Sequence, residues 1–573
     1  MFAPGRFAPA PRVTQWPIQG RRGEQASRGG PATLAQSRVN NRPQMTASSP
    51  ARNNGALSHP VFRGLLGGGA LYFIGNAMQV MAASWLMVEM TGSPFLAALV
   101  QTAVFLPMFV LSLPAGVLAD TRDRGRLMQR ALLVQGVTVA LLAALLLGGW
   151  AGPASLLLFT AVAGSCTALL SPAWNSTVAD SIPREELPQA IVATSIAYNV
   201  ARAVGPSAAG IVFAYAGAAW VFAAAVAGVF AMSRSLLRNP PKPHPVSRLP
   251  AERLWGGTLS ALRFARHSPA VLAQLLRTMA YSGAGSALWA LLPVIGQRQL
   301  GLGAAGFGLL MGCLGGGAVL AGLVIGRVRA RFGIEWIVRI GCVVYAFSML
   351  AAALSSSHAL VYAALVLGGG AWMAVMSTFN TATQTSVPPW VRSRASALHT
   401  LSALGAFAIC SAFWGALTSL IDLPATLCVA SACMAAGLLL ARPFPLRMGD
   451  RTEVTQVASM FEELSVADEP DPEAGPVAVE IGYRIRADQT EAFLEAVSHL
   501  RAPRRRDGAT LWRVYRDLSD PARYCERFIV TSWADYLHQR SRATLADQEL
   551  EAQVRVHLEP GAAVTTQHYI AEL

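Results

Sequence analysis

Charge is scarce in this chain. Charged residues make up 14% of the 573, against about a quarter in an ordinary soluble domain, while 53% are hydrophobic and mean hydropathy is +0.41. That balance argues against a soluble globular protein. The seven cysteines form no C-x-x-C pair. Cys166, Cys313, Cys342, Cys410, Cys428 and Cys433 fall within or at the edges of apolar runs and Cys525 lies in the C-terminal region, so neither a disulfide framework nor a zinc site is indicated. No metal triad or nucleophile set is visible, which leaves no catalytic residue, metal or cofactor to assign. The first 60 or so residues also lack an apolar run long enough for a secretory signal.

What the sequence has instead is long apolar runs. About twenty apolar residues carry a helix across the ~30 Å hydrocarbon core. Twelve such runs stand at about 65–89, 94–119, 126–149, 153–178, 188–213, 216–236, 270–296, 304–326, 334–355, 359–385, 394–419 and 422–441. Every second connection is basic: Arg122, Arg124 and Arg126; Arg184; Arg234, Arg238 and Lys242; Arg327, Arg329 and Arg331; Arg392 and Arg394; Arg442 and Arg447. The alternate connections carry only Arg298. An even number of spans with this bias places both termini, and the loop at about 236–268, on the cytoplasmic side of a membrane. The net charge of +14 is then a set of topology determinants beside anionic lipid, not a nucleic-acid surface.

Residues 1–60 form a basic tail expected to be disordered, with Glu24 its only acid, and Met45 offers a second start. The spans divide into halves at 61–236 and 270–449, joined by a Pro- and Arg-rich loop at 237–269. The halves are related: Trp174-Asn175, Pro183 and Gly210 recur as Phe379-Asn380, Pro388 and Gly415 at a constant offset of 205, and Gly116 and Gly322 are spaced almost alike. Transporters built from such repeats place their sites near the midplane, between the halves. An acidic linker at 450–476 leads to residues 477–573. There, strand-like alternation at 477–486, 511–517, 524–533 and 564–570 is separated by helical stretches at about 488–501 and 533–546, the βαββαβ order of a ferredoxin-like domain. The fold class expected is an all-α polytopic membrane protein of twelve transmembrane helices in two six-helix halves, with a small C-terminal α+β domain.

The loop between spans two and three reads Gly116, Val117, Leu118, Ala119, Asp120, Thr121, Arg122, Asp123, Arg124, Gly125, Arg126. Gly116 permits close helix approach, and Asp120, Asp123, Arg124 and Arg126 supply the groups of a charge latch at a cytoplasmic gate or, equally, of a tight basic turn. Gly-x-Leu-Ala-Asp followed by Asp-Arg and a further Arg, after span two of twelve, resembles the loop signature of the major facilitator superfamily. The segments 85–94 (WLMVEMTGSP), 199–206 (NVARAVGP) and 504–509 (RRRDGA) resemble its transmembrane secretion effector branch, which includes exporters of the enterobactin type. In span five, Gly205-Pro206-x-x-x-Gly210 resembles the superfamily's antiporter motif, with Ala201 and Ala209 where glycines usually stand.

Arg202 lies deep in span five, where a guanidinium is costly unless it faces a cavity or a partner. It either binds an anionic substrate or pairs with Glu89, near the outer end of span one. Arg277 is expected to snorkel at the inner face. No acid lies mid-span, so Glu89 is the one candidate for a proton site, or else a helix cap. Asn76, Gln79, Gln101, Asn175, Asn380, Gln384 and His399 are candidates to line a cavity or to bond between helices. The resemblance favours Asn76, Gln79, Asn175, Asn380 and Gln384, on spans that line the cavity in the superfamily. Tyr281, Ser282 and Trp289 add surface suited to amphipathic compounds. The resemblance implies a proton-coupled secondary exporter of a small hydrophobic or amphipathic molecule (drug, siderophore or secondary metabolite), not an enzyme, working by alternating access. The C-terminal domain also resembles cofactor-free monooxygenases of antibiotic biosynthesis, so a membrane-anchored enzyme or ligand sensor is the alternative. In that domain Trp512, Tyr515, Trp533, Tyr536 and His538 are read chiefly as core packing, and its strands suit dimerisation.

Overall fold

A computed structural model describes residues 55–183, 185–240, 262–457, 466 and 468–572. The N-terminal tail with Met45, Arg184, Lys242 and most of its loop, and Glu462 and Glu463 of the acidic linker lie outside the described residues. So do the side chains of Val117, Asp120 and Thr121.

Among the described residues, twelve helices make up the membrane body. In the first half they are α1 (Pro60–Thr91), α2 (Pro94–Thr121), α3 (Arg124–Leu147), α4 (Pro153–Asp180), α5 (Leu187–Ala216) and α6 (Ala218–Arg238). The second half comprises α7 (Pro269–Val294), α8 (Ala304–Arg331), α9 (Ile334–Leu354), α10 (His358–Thr385), α11 (Arg392–Leu420) and α12 (Leu423–Ala436). Their ends follow local chemistry. Proline opens α1, α2, α4 and α7, where its missing N–H is no loss. Asp123 accepts from the Arg126 N–H at 3.0 Å and Asp422 from the Ala425 N–H at 2.7 Å, capping α3 and α12. Eleven of the twelve are long and apolar enough to cross a membrane. α5 is the exception although it runs 30 residues, because it carries Thr194, Ser195, Asn199 and Arg202 toward the centre of the bundle.

The pairing of helices repeats between the halves. α1 packs on α5 as α7 does on α11, α2 on α4 as α8 on α10, and α3 on α6 as α9 on α12. Two seams, α5 with α8 and α2 with α11, join one half to the other. Repeat-related glycines make those seams close. A Cβ added at Gly210 would lie 2.6 Å from the Ala304 carbonyl oxygen, and one at Gly415 3.2 Å from that of Pro94. Each glycine thus receives the first turn of a helix from the other half.

Residues 477–572 form the expected α+β domain, with strands β1 (Val477–Arg484), β2 (Leu511–Arg516), β3 (Arg523–Val530) and β4 (Thr565–Ile570) in an antiparallel sheet of order β2-β3-β1-β4. The alternation of β1 buries Val477, Val479, Ile481 and Tyr483 against Phe493, Phe528, Trp533 and Tyr536. Trp512 is buried in the same core, while Tyr515 and His538 are exposed. The helices expected at about 488–501 and 533–546 are α13 (Thr490–His499) and α15 (Trp533–Arg542), and after each comes a further helix beyond the expected bounds, α14 (Arg501–Asp507) and α16 (Leu545–Val556). The second break falls at Ala543, whose extended backbone lets Thr544 and Asp547 cap α16 reciprocally.

Two buried networks fix this domain. Arg504 pairs with Glu526 and Glu551, each at 3.2 Å, and Glu526 also accepts from Tyr483 and Trp512. Arg506 pairs with Asp507 at 2.7 Å and Asp547 at 2.6 Å. Burial works against the Arg506 charge, but the two carboxylates prevail and hold its pKa above the usual arginine value. The second network reaches the membrane body: Arg506 lies over Phe264, Arg263 donates to the Gly508 carbonyl at 3.0 Å, and Arg542 stacks 4.2 Å from the ring centroid of Trp390. Phe264 and Trp390 meet edge to face, just before α7 and in the turn between α10 and α11. The domain therefore rests on the second half.

Candidate functional site

Between the halves lies a cavity of about 580 Å³. α1 contributes Tyr72, Phe73, Asn76 and Gln79; α2 Gln101 and Phe105; α4 Thr160, Trp174 and Asn175; α5 Tyr198, Asn199, Arg202 and Pro206. From the second half come Ser282 and Trp289 of α7, Met311 of α8, Trp372 and Met376 of α10, and Phe407 of α11. Apolar surface dominates, and a few amides and hydroxyls interrupt it. Among the described lining residues Arg202 is the only one charged at neutral pH.

The guanidinium of Arg202 lies 5.2 Å from the ring centroid of Trp289 and 6.0 Å from that of Tyr198. These are cation–π distances. No carboxylate pairs with it among the described residues; Glu89 is exposed at the far end of α1. Phe73 stands edge-on to both Trp174 and Tyr198, with centroids 6.1 and 5.4 Å away. Across the cavity, Trp372 meets Trp289 at 6.4 Å and Phe407 at 6.0 Å. Aromatic walls thus face each other from the two halves.

The cavity is closed on one side. Thr102 donates to the Ala408 carbonyl at 2.8 Å, Ser207 to Gly308 at 3.3 Å, and Arg298 to the Gly92 carbonyl. Trp85 stacks on Phe307 at 5.3 Å between the cavity and the Arg298 contact. These crossings lie at cavity height or beyond it, away from the basic turns. At the basic end, a Cβ added to Gly116 would meet nothing within 4 Å, so the close approach expected of that glycine is not made here. In the same loop Arg124 binds Asp180 at 2.7 Å and the Ala119 carbonyl at 3.1 Å, tying the α2–α3 turn to the end of α4. Arg126 is exposed beside Asp123. Gly205 packs on α1 at Ala77, whereas Pro206 and Gly210 meet α8 of the other half at Gly308 and Ala304.

Several expected residues stand elsewhere. Asn380 and Gln384 are exposed, bonded to each other at 3.0 Å and absent from the lining; Asn380 thereby differs from its repeat partner Asn175. Tyr281 is buried beside the cavity among Tyr345, Trp372 and Phe379. His399 is buried within hydrogen-bond distance of Thr278. Arg277 does not snorkel: it is 3% exposed and bonds Glu335 of α9 at 2.6 Å, because a carboxylate reaches it inside the bundle. Tyr198, Phe73, Trp372 and Thr160 join the lining without having been singled out; the aromatic content of spans one, five and ten was the available signal.

Comparison with known proteins agrees with this architecture. A family model described as transmembrane secretion effector matches residues 52–573. The multidrug efflux pump Tap of Mycobacterium tuberculosis is 30% identical over 201 residues, covering 33% of this chain and 47% of that protein. The staphyloferrin A transporter of Staphylococcus aureus is 26% identical over 145 residues, 25% of this chain and 36% of that one. The chain thus spans a third to a half of the length of these curated relatives. Among solved structures, the nucleoside transporter NupG superposes with a TM-score of 0.56 at 13% identity, covering 67% of this chain and 98% of that one. The xylose transporter XylE from E. coli gives 0.55 at 12%, covering 69% and 98%. Such identities speak for the fold alone. With twelve paired helices, a midplane cavity between two repeats and a family match over most of its length, the chain belongs to the transmembrane secretion effectors of the major facilitator superfamily.

Proposed function

We propose that the protein is a secondary exporter that carries a small hydrophobic or amphipathic molecule across the bacterial inner membrane by alternating access. The observation that carries this reading is the aromatic-walled cavity between repeat-related halves, closed on the side away from the basic turns. By the charge bias those turns and both termini are cytoplasmic, so the cavity would take its cargo from the cytoplasm. Rocking along the glycine seams would then open the other side. The two states must differ in affinity for cargo and driving ion. Proton antiport is the coupling the family resemblance implies, with Glu89 as the candidate carrier. The open face of the C-terminal sheet, which carries Tyr515 and Arg527, is the surface proposed for dimerisation.

Flux of a compound panel through proteoliposomes, with and without a pH gradient, tests the reading. Arg202→Ala is expected to abolish export while the protein still inserts. Wild-type flux in that variant would remove Arg202 from the site, and absence of flux for every compound would sink the exporter. Deleting residues 450–573 separates the classes: an exporter keeps transport, whereas a membrane-anchored enzyme loses its activity.

A further inference from the structure

We infer that the cavity is built for an amphipathic monoanion, its anionic head on Arg202 and a flat apolar body between the aromatic walls; this rests on the transporter reading and narrows its substrate class. The arginines buried among the described residues each have a counterpart: Arg277 and Arg504, 3% and 6% exposed, are held by carboxylates, and Arg542, 8% exposed, donates to the Asp507 carbonyl at 2.9 Å and stacks on Trp390. Arg202, half-buried midway along α5, has Trp289 and Tyr198 beside it, but among the described residues no hydrogen bond or ion pair takes up its five N–H donors. A charge at that depth calls for a neutralising partner. A cationic cargo would be repelled, a neutral one would leave the charge uncompensated, and a dianion would bring one charge too many. One negative charge balances the site.

Two further lining groups, Trp174 Nε1, which can only donate, and Thr160 Oγ1, are buried without a hydrogen-bond partner, but they stand about 21 Å apart along α4 and mark no single head-group site. The anion is assigned by Arg202: a head group of acceptor oxygens, such as a carboxylate or sulfonate, is what a guanidinium recognises. The volume of about 580 Å³ falls within the usual range for small-molecule pockets.

The test uses three probes of one shape: naphthalene-2-sulfonate, naphthalene-2-sulfonamide and 2-naphthylmethylammonium, titrated calorimetrically into the full-length protein in lipid nanodiscs. The sulfonate is expected to bind at least about tenfold more tightly than the sulfonamide. Arg202→Gln should bring that ratio near one and Arg202→Lys should keep part of it, both eluting as monodisperse protein. Arg523→Gln, on the C-terminal domain, should leave it unchanged. Equal binding of sulfonate and sulfonamide, preference for the ammonium, or a ratio indifferent to Arg202→Gln would overturn the inference. Flux of the same probes keeps the two readings apart. Transport of the sulfonamide or ammonium in preference to the sulfonate refutes the anion class and leaves the exporter standing. Arg202-dependent sulfonate binding with no flux of any probe supports the anion site and counts against transport.

Discussion

At the residue scale, arginines in apolar helices divide by what satisfies them. Arg277 has Glu335, which also receives Arg339 at 3.1 Å and the Leu446 N–H at 3.2 Å, so one carboxylate ties α7, α9 and the segment after α12 together. Removing one partner of a buried pair leaves the other uncompensated, so Glu335→Gln should destabilise the second half by about 3 kcal/mol. Thermal unfolding in detergent reads this, and an unchanged midpoint would assign Arg277 another partner. The expense of Arg202 and Arg277 was legible in the sequence, because a guanidinium in an apolar run stands out. Their different surroundings were not, since Glu335 is 58 residues from Arg277 and pairing belongs to tertiary structure. The contrast of Asn175 with Asn380 has the same origin. The repeat predicts both in equivalent positions, but the cavity draws more of its lining from the first half, so one asparagine faces it and the other bonds to Gln384 on the surface.

At the scale of elements, the helices were visible because crossing a bilayer fixes their length, and the strands because one face is buried. The additional C-terminal helices α14 and α16 were less visible; Thr544 and Asp547, three residues apart, are the capping signal for α16. What no run length reveals is which helices meet. Gly210 and Gly415 show the answer from both sides of the repeat, each admitting a helix start from the opposite half. Gly210→Leu and Gly415→Leu should each force a seam apart and lower flux at least about tenfold. Membrane insertion should persist, because leucine raises the apolar content that sets it. Flux normalised to membrane-inserted protein measures the effect; wild-type rates in both variants would show that the seams are not needed for transport.

For the whole molecule, export of a monoanion as proposed would couple transport to the membrane potential, about 2.3 kcal/mol per charge per 100 mV. An inside-negative potential imposed by a potassium gradient with valinomycin should therefore speed export of an anionic cargo even without a pH gradient. Potential-independent flux would mean that no net charge moves. The C-terminal domain adds a separate expectation. Its grip depends on Arg542 stacked over Trp390, a contact of roughly 1–2 kcal/mol, so Trp390→Ala should quicken proteolysis near residues 450–476 while leaving helix content intact; identical digestion rates would show the grip lies elsewhere. Because that domain rests on the second half through Phe264 and Trp390, it would ride on one jaw of the proposed exporter. An antibody fragment raised against it becomes a landmark attached to a single moving part, and a spin label placed there, read against another on the α2–α3 turn, turns each opening and closing into a measurable distance.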